Sequence, residues 1–289
     1  MDGTTATLQT EIVDAIRRYV AESLENRYIA LDGSSIYEEP LVGFADGDDP
    51  LFAEFKRVAC EFQLTPREAM QMHFDPAGDE EPASRLSVIS FVLPASEVTR
   101  LSNRPMTYGP SVRWNHLRWY GEEFITGLKK HLVALLSERG YRAVSPSLEP
   151  FFKNFALPNG KSSSWSERHV AYAAGLGTFG LTDALITAKG VAHRLGSVVI
   201  EAALAPTLRP YTNHRAYCPF INDGSCGVCI DRCPAGAVSV SGHDKIRCSE
   251  HLDVLKKWQA ERASEGYTGA YIGCGLCMTG VPCEAGMPV

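Results

Sequence analysis

The sequence predicts an α+β protein with two domains, an α/β layer domain over residues 1–205 and a small cysteine-rich domain over residues 206–289. Helical and strand-like apolar patterns alternate through roughly the first 200 residues, as they do in a layered domain. Eight of the nine cysteines fall in the last quarter of the chain. The Pro-containing segment "LAPTLRPY" between these two parts predicts the boundary.

Helices are predicted at three places in the first half of the chain. The first runs from about Thr10 to Leu24, where apolar residues recur at helical spacing. The second begins in "LTPREAM", where Thr65 is the N-cap, Pro66 takes the first helical position and Glu68 completes a capping box. The third is "YGEEFITGLKKHLVALLSERG", which has one apolar face and a glycine stop.

Strands are predicted at three short apolar segments. "RLSVISFVLP" is typical of a buried strand, and "YRAVSP" and "GSVVIE" predict two more. Because these strands alternate with helices, we expect a sheet covered by helices. The terminal quarter holds little apolar core of its own, so we expect it to need a metal in order to fold.

The composition disfavours several classes of protein. The chain has 289 residues, a net charge of −6 and a pI near 5.8, so it lacks the basic field that attracts nucleic acid. Its N-terminus lacks the features of a signal peptide. The longest apolar stretch, "LGSVVIEAALAP", contains Glu201 and is too short to span a bilayer. We therefore expect a cytoplasmic protein without membrane contact, in which paired cysteines bind metal.

The spacing of the cysteines indicates iron-sulfur chemistry. "CGVCIDRCPAGAV" contains Cys226, Cys229 and Cys233 followed by Pro234, and "CGLCMTGVPC" adds three further cysteines. In two-cluster ferredoxins, the last cysteine of such a run, before the proline, binds the other cluster. Eight cysteines are the number that two 4Fe-4S clusters need.

The same exchange between clusters predicts the two ligand sets. Cys218 replaces the usual upstream cysteine, whose position is taken by Asp223. The first set is Cys218, Cys226, Cys229 and Cys283, and the second set is Cys233, Cys248, Cys274 and Cys277. Structural zinc and disulfides are the alternative interpretations, although a zinc site does not explain why Cys233 is followed by a proline. Cys60 stands alone in "FKRVACEF" and is given no role.

These motifs resemble the family of epoxyqueuosine reductases and its shorter relatives, which are kin to the reductive dehalogenases. Three segments carry the resemblance: "SWSERHVAYAAGLGTFGLTDALIT", "GSCGVCIDRCPAGAV" and "YIGCGLCMTGVPC". It extends from about Ser162 to the C-terminus, and "LSNRPMTYGPSVRWNHLRWYGEEF" is similar to the shorter relatives.

The resemblance implies a nitroreductase-like, cobalamin-binding domain followed by a ferredoxin-like domain, whose two 4Fe-4S clusters deliver electrons one at a time. It implies a reductase that acts on a small organic substrate. The electrons would come from an external donor such as ferredoxin or flavodoxin. Flavin in place of cobalamin is an alternative, since nitroreductases share that fold. A second hypothesis is an electron carrier, or an activator that reduces a partner's corrinoid. A carrier alone would not need about 200 further residues, which favours the reductase.

Two departures from the family disfavour tRNA as a substrate. In the tRNA-modifying enzymes a catalytic aspartate lies shortly before the glutamate that matches Glu167, and Lys161 occupies that position here. The sequence also stops soon after Cys283, without the part that binds tRNA in the longer enzymes. Epoxyqueuosine reduction in tRNA is therefore kept only as an alternative function.

Candidate site residues come from the matched segments and from the Arg- and aromatic-rich segment before them. The candidate proton donors are Tyr108, Tyr120, Glu167 and His169. The candidate cofactor contacts are Arg113, Trp114, Arg168, Gly175, Gly177 and Gly180. Structural alternatives stand beside them: Ser164 and Glu167 match a capping box, and His169 is compatible with a purely structural role. Trp114 and Arg118 have the spacing of a surface cation-π pair.

The segment "AAGLGTFG" matches the dinucleotide-binding pattern G-x-G-x-x-G but not its context. A dinucleotide-binding loop follows a strand and opens a helix. Here an alanine-rich helical segment precedes Gly175, which stands where a helix-ending glycine belongs. We therefore expect no NAD site, and predict a tight turn into a loop that lies close to a bulky cofactor.

Overall fold

A computed structural model describes residues 3–78, 84–270 and 272–288. Its helices are α1 (Gly3–Glu22), α2 (Pro50–Val58), α3 (Pro66–Phe74), α4 (Glu97–Asn103), α5 (Val112–Glu138), α6 (Glu167–Ala173), α7 (Pro219–Asp223), α8 (Val228–Asp231) and α9 (Lys245–Ala260). Its strands are β1 (Leu41–Asp46), β2 (Ser87–Pro94), β3 (Ala143–Val144), β4 (Asn154–Leu157), β5 (Gly160–Ser163), β6 (Gly177–Phe179), β7 (Leu185–Thr187), β8 (His193–Ile200), β9 (Val238–Ser239) and β10 (Gly242–His243).

An antiparallel sheet of four strands, counted over the described residues, has the order β1-β2-β8-β3. β2 pairs along its whole length with β8, from Ser87 opposite Ile200 to Pro94 opposite His193. β3 pairs only with the end of β8, where Ala143 lies opposite Ile200. Helices around an antiparallel sheet make this region α+β, as the sequence predicts.

Helices cover both faces of this sheet because successive strand residues point to opposite sides. Ile89 and Phe91 of β2 pack in the same core as α1 and α5. Val88 directly precedes Ile89, so it points to the opposite face, where it packs in a second core with α2, α3 and α6. All three side chains have no exposed surface, so the sheet is the middle of three layers.

Several predicted elements are confirmed. Strand β2 lies within "RLSVISFVLP", and all eight of its residues are buried. Helix α3 begins with the predicted capping box, in which Thr65 and Glu68 each bond the other's backbone and Pro66 stands at the start. The predicted strands "YRAVSP" and "GSVVIE" correspond to β3 and β8.

Two helices begin earlier than the sequence predicts. Helix α1 begins at Gly3, seven residues or so before the expected start. Helix α5 begins at Val112 because the Ser111 hydroxyl accepts a hydrogen bond from the Trp114 backbone N–H and caps the helix there. Its predicted glycine stop is confirmed, since Gly140 has φ +83°. No helix in the described ranges combines the length and apolar content needed to cross a membrane.

The cysteine-rich region is built from short elements joined by loops. Helices α7 and α8 have five and four residues, and β9 and β10 form a hairpin of two-residue strands. The longest element there is α9, whose buried residues are Leu255 and Gln259. This region therefore has far fewer apolar contacts of its own than the layered region.

The cysteine-rich region docks on the first half of α5. The Trp114 side chain is 5% exposed and lies so close to Gly275 that a Cβ there would overlap the indole. Gly269 meets the ring of Trp119 in the same way. Glycine is needed at both positions because the loop backbone approaches an aromatic face and φ is positive.

Arg232 joins the same two regions through backbone carbonyls. Its guanidinium donates to the carbonyl oxygens of Leu276 and Thr279 at 3.2 and 2.9 Å. It also donates to those of Arg104 and Met106, at 2.9 and 3.2 Å, in the connection between α4 and α5. One side chain thus fixes the loop that carries two cysteines against the layered region.

Candidate functional site

Strand β8 has an open edge beside β3. Since β3 pairs only with Val199 and Ile200 among the described residues, the first part of β8 has a neighbour on one side alone. Helices α5 and α6 flank this edge from opposite faces of the sheet. Charged side chains gather here, and we call the place the β8 recess: Arg118, Glu122 and Lys129 of α5, Glu167 and Arg168 of α6, and Arg194 of β8.

Glu122 forms the first half of this charged group. Its Oε2 atom accepts hydrogen bonds from Arg118, at 2.8 Å, and from Arg194. Burial opposes the negative charge of Glu122, but Arg194 and Arg118 outweigh burial and lower its pKa. Desolvation, and then Arg194, lower the pKa of Arg118 to about 10. One carboxylate thus holds two cations side by side.

Glu167 forms the second half. Its two carboxylate oxygens accept hydrogen bonds from the hydroxyls of Ser147, at 2.9 Å, and Ser197, at 2.5 Å. The Lys129 ammonium donates to Ser147 at 2.9 Å and lies 4.0 Å from Glu167. Burial raises the pKa of Glu167, although Lys129 and both hydroxyls act against this. The result is a carboxyl group disposed to hold a proton and fixed in orientation.

The predicted capping box of Ser164 and Glu167 is wrong. The N-cap of α6 is Ser166, and its hydroxyl bonds to Nδ1 of His169 rather than to the helix backbone. The Ser164 hydroxyl accepts from the backbone N–H of Lys153 at 3.0 Å. The carboxylate of Glu167 is drawn away from the helix start because two serines and a lysine bind it in the β8 recess.

Arg168 and His169 follow Glu167 on the same helix but differ in surroundings. Arg168 is exposed, yet the surrounding protein desolvates it and lowers its pKa, with Arg194 contributing next. The His169 ring lies 4.9 Å from those of both Phe55 and Phe179. Burial, and then Arg168, lower the pKa of His169 to about 4, so its imidazole is neutral at pH 7.

The charged side chains of the β8 recess share an unusual combination of properties. Arg118, Glu122 and Arg194 keep 25%, 36% and 30% of their side chains accessible. Desolvation nevertheless has the largest single influence on the pKa of each. Charged side chains that are partly accessible and partly desolvated are compatible with a ligand-binding site, and such sites are mostly concave.

The first cysteine set lines a small, mostly apolar cavity. Its cysteine lining consists of Cys218, Cys226, Cys229, Cys283 and, from the second set, Cys277. Burial raises the pKa of the Cys229 thiol to about 11, with further increases from Cys218 and Cys226. Burial raises that of Cys283 to about 12, again with contributions from the other three thiols of its set.

The second set is grouped in the same manner. Burial, and then Cys274 and Cys233, raise the pKa of the Cys248 thiol to about 11. The pKa of the Cys277 thiol is raised by burial and then by the other three cysteines of its set. Within the described ranges, no three His, Cys, Asp or Glu side chains converge closely enough to bind one metal ion. The thiols of each set thus influence one another electrostatically, and their division into two ligand sets stays a prediction.

Arg168 connects the second set with the β8 recess. Besides Arg194, the titratable groups that affect the pKa of its guanidinium are Asp183, Cys277 and Cys248. Asp183 itself lies 3.4 Å from His243 and 4.0 Å from Lys245. Two cysteines of the second set thus act electrostatically on an arginine of the recess, and one of them, Cys277, also lines the cavity of the first set.

Two predicted cofactor contacts lie elsewhere. Arg113 pairs with Asp32, donates to the Ser34 hydroxyl at 3.0 Å and lies over the ring of Tyr28. It therefore ties an N-terminal loop to α5. Trp114 is buried against the cysteine-rich region, so the surface cation-π pair with Arg118 is wrong. A helix contributes different faces to different neighbours, which the sequence spacing alone did not resolve.

The two candidate tyrosines also lie away from the charged group. Tyr108 is 46% exposed and packs edge-on against His251 and Trp258 of α9. Tyr120 contacts the ring of His116 at 5.3 Å. It stands midway between Arg118 and Glu122, and residues two apart in a helix point in nearly opposite directions.

The three glycines of "AAGLGTFG" are used in different ways. Gly175 has φ +77° and ends α6, with backbone bonds from its own N–H to Tyr172 and from the next residue to Ala171. Gly177 opens strand β6 against the carbonyl of Ile186, so the order is helix, turn, strand. Gly180 lines the cavity beside Cys218. Contact of these glycines with a cofactor remains a prediction.

Three residues of the β8 recess were missed by the sequence reading: Glu122, Lys129 and Arg194. Arg118 and Glu122 have the i,i+4 spacing of a helical ion pair, and Lys129 follows two turns later on the same side. That spacing was a usable signal. No sequence signal indicated Arg194, because only the packing of the folded chain brings β8 beside α5.

Comparison with known proteins gives partial matches. No family model matches the chain. The tetrachloroethene reductive dehalogenase of Dehalobacter restrictus is 32% identical over 132 residues, covering 43% of this chain and 23% of that protein. The epoxyqueuosine reductase of Bacillus anthracis is 31% identical over 124 residues, covering 42% of this chain and 30% of that protein. The match thus spans less than a third of each relative.

A solved structure matches over nearly the whole chain. The crystal structure of an epoxyqueuosine reductase with an epoxyqueuosine-modified tRNA-Tyr stem loop superposes with a TM-score of 0.50 at 18% identity. It covers 99% of this chain and 67% of that one, and it shows a shared fold. The chain thus shares its fold with an epoxyqueuosine reductase and is similar in sequence, over less than half of its length, to epoxyqueuosine reductases and reductive dehalogenases.

Proposed function

We propose that the protein is a reductase that passes electrons through two 4Fe-4S clusters to a cobalamin in the β8 recess, where a small organic substrate is reduced. The observation that carries the proposal is that Cys277 and Cys248 of the second cysteine set act electrostatically on Arg168 of the recess. A redox centre must lie close to the site it reduces, and these two are adjacent.

The donor set suits the proposed clusters. Cysteine thiolates are the ligands of 4Fe-4S clusters, four to each cluster. The thiols of each predicted set influence one another electrostatically, as neighbours do. In such a cluster each thiolate binds a separate iron, so the four sulfurs have no need to converge on one point. Structural zinc would require that convergence.

The β8 recess suits a large ligand with polar and anionic groups. Four cations and two carboxylates line it, and the Tyr37 hydroxyl is buried nearby without a hydrogen-bond partner among the described residues. Arg118, Lys129, Arg168 and Arg194 would hold the cofactor's amides and phosphate. Cobalamin, when bound, supplies a cobalt that accepts electrons singly and reacts with the substrate as a reductant. Flavin remains the alternative occupant.

Within this proposal Glu167 is the proton donor. Reduction of an organic substrate consumes a proton along with the electrons, and burial keeps a proton on Glu167 more readily than on an ordinary glutamate. Ser147 and Ser197 fix the orientation of its carboxyl group. The Lys129 ammonium, bonded to Ser147, is placed to help restore the charge balance after the proton leaves.

The first cysteine set is the proposed point of arrival for electrons from a donor such as ferredoxin or flavodoxin. The alternative of an electron carrier gives no reason for a desolvated charged recess beside the second set. Reduction of tRNA is not favoured over a small substrate, since the chain is acidic.

Anaerobic purification with cobalamin present tests the proposal. The chain should contain about eight irons and retain the visible spectrum of a corrinoid. The Cys277→Ser variant should hold about half of that iron. Its matched control, Cys60→Ser, replaces a buried cysteine outside both sets and should hold the full amount. Zinc in place of iron, or iron with neither corrinoid nor flavin, would refute the proposed function.

A further inference from the structure

A chain of hydrogen bonds connects α5 with the carboxyl group at the start of α6. The Lys129 ammonium donates to the hydroxyl oxygen of Ser147 at 2.9 Å, and the Ser147 hydroxyl donates to Oε1 of Glu167 at 2.9 Å. The Lys129 ammonium and Oε1 of Glu167 are 4.0 Å apart, which is too far for a hydrogen bond. Ser147 is therefore the bridge between the lysine and the carboxyl group.

A second chain reaches the other oxygen of Glu167. The indole N–H of Trp165 donates to the Ser197 hydroxyl oxygen at 2.9 Å, and the Ser197 hydroxyl donates to Oε2 at 2.5 Å. Trp165 is 3% exposed and Ser197 is fully buried, so this chain is shielded from water. Both oxygens of the carboxyl group thus receive a hydrogen from a serine.

The chemistry of the outer groups fixes the direction of each hydrogen bond. An ammonium group and an indole N–H can only donate, so each serine oxygen accepts from its outer group and points its own hydrogen at Glu167. The two chains differ in what their outer groups can release. An ammonium group gives up a proton when it titrates, whereas an indole N–H is a donor that does not titrate in proteins. Only the chain through Ser147 therefore ends in a group with a proton to give.

The charges around Glu167 favour transfer along this chain. Burial has the largest influence on the pKa of Glu167 and raises it, Lys129 lowers it, and Glu122 raises it further. Once Glu167 has given its proton to a substrate, a carboxylate stands beside an ammonium group in a desolvated position, which is costly. Transfer of one proton from the ammonium to the carboxylate removes both charges.

We propose that Lys129 and Ser147 form a relay that returns a proton to Glu167 after each proton donation. The Ser147 O–H bond breaks as its hydrogen passes to Oε1 of Glu167, and a new O–H bond forms on Ser147 with a proton from the Lys129 ammonium. The neutral amine is then recharged by solvent, which reaches 6% of the Lys129 side chain. Both residues act through Glu167 and are positioning residues. The inference rests on the proposed function for the role of Glu167 as proton donor.

A rapid drop in pH, followed by infrared spectroscopy of the anaerobically purified chain, measures how fast Glu167 takes up a proton. The carbonyl band of the protonated carboxyl group is the signal, and Glu167→Gln assigns it because that variant lacks the group. Ser147→Ala removes the bridge and should slow proton uptake by at least about tenfold. Ser147→Thr keeps the hydroxyl and should retain a rate close to that of the wild type.

Lys129→Arg separates the relay from a purely electrostatic role. Arginine keeps the positive charge but does not release its proton in proteins, so uptake should be as slow as in Ser147→Ala. The matched control is Lys130→Arg, the same change at the exposed neighbouring position, which should leave the rate unchanged. Trp165→Phe removes the outer donor of the other chain and should also leave the rate of uptake unchanged.

The inference is overturned if Ser147→Ala takes up the proton as fast as the wild type, because water would then protonate Glu167 directly through the 19% of its side chain that is accessible. A wild-type rate in Lys129→Arg would overturn it as well, since charge alone would then suffice, and so would a wild-type chain whose Glu167 band does not titrate. A working relay in a chain that binds neither iron nor corrinoid would refute the reductase function alone. Failure of the relay in a chain that binds both would refute the relay alone.

Discussion

The layered region and the cysteine-rich region are held together in different ways. In the layered region, large side chains such as Phe91 and Phe124 are fully buried between the sheet and its helices. In the cysteine-rich region, α7 and α8 bury no residue, and order depends on contacts such as the hydrogen bonds of Arg232 to five backbone carbonyls. The difference teaches that apolar burial suffices for the first region, while the second depends on contacts with its neighbour and, under the proposed function, on bound clusters.

Removing the iron of the proposed clusters tests this contrast most strongly. When the iron is chelated, protection of the backbone amides of residues 218–288 against hydrogen exchange should fall by at least about 100-fold. Metal binding supplies folding free energy that the small core of this region lacks. Strand β2 should keep its protection. Hydrogen exchange followed by mass spectrometry measures both regions at once. Equal loss in the two regions, or none in either, would contradict the distinction.

Phe124→Ala tests the apolar side of the comparison. This ring is fully buried between α5 and the sheet, so truncation should lower the free energy of unfolding by about 3–5 kcal/mol. Urea denaturation measures the change. Leu24→Ala, at a side chain that is 77% exposed, is the control and should change stability by less than about 0.5 kcal/mol. A small effect at Phe124 would mean that this core is not the main source of stability.

Arg232→Met tests the contact between the regions. It leaves carbonyls of Leu276 and Thr279 without their donor, which should cost about 2–3 kcal/mol. The loss should appear as faster hydrogen exchange in residues 272–280, with β2 unaffected. Arg247→Met, which removes an exposed arginine with one carbonyl bond to Gly236, is the matched control. Faster exchange in both variants alike would argue against a special role for Arg232.

The pH dependence of folding stability tests the buried surroundings of His169 in the layered region. Its pKa is lowered to about 4 in the folded chain and is ordinarily 6.5, so the unfolded chain binds the proton more tightly. Stability due to the neutral ring is present above pH 6.5 and is lost as the pH falls toward 4. By pH 5 the wild type should lose ~2 kcal/mol relative to His169→Gln. Parallel stability curves for the two proteins would show that this histidine does not titrate as described.

Local sequence signals predicted the elements whose cause is local. The capping box at Thr65 and the glycine ends at Gly140 and Gly175 depend on backbone geometry within a few residues, and each is confirmed. The capping box at Glu167 failed because its carboxylate bonds to Ser147 and Ser197, which are 20 and 30 residues away. A pattern of four residues gives no information about such distant partners.

The sequence by itself determined the kinds of group this protein uses: eight thiols at cluster spacing, a helix that ends in a glycine turn, and an amphipathic α5. Only the tertiary structure decided which of them meet. Arg194 comes beside Glu122, and Lys129 beside Glu167, because antiparallel pairing leaves one edge of β8 open between two helices. Charges from three separate segments converge there, and such convergence is a property of chain packing that no single segment encodes.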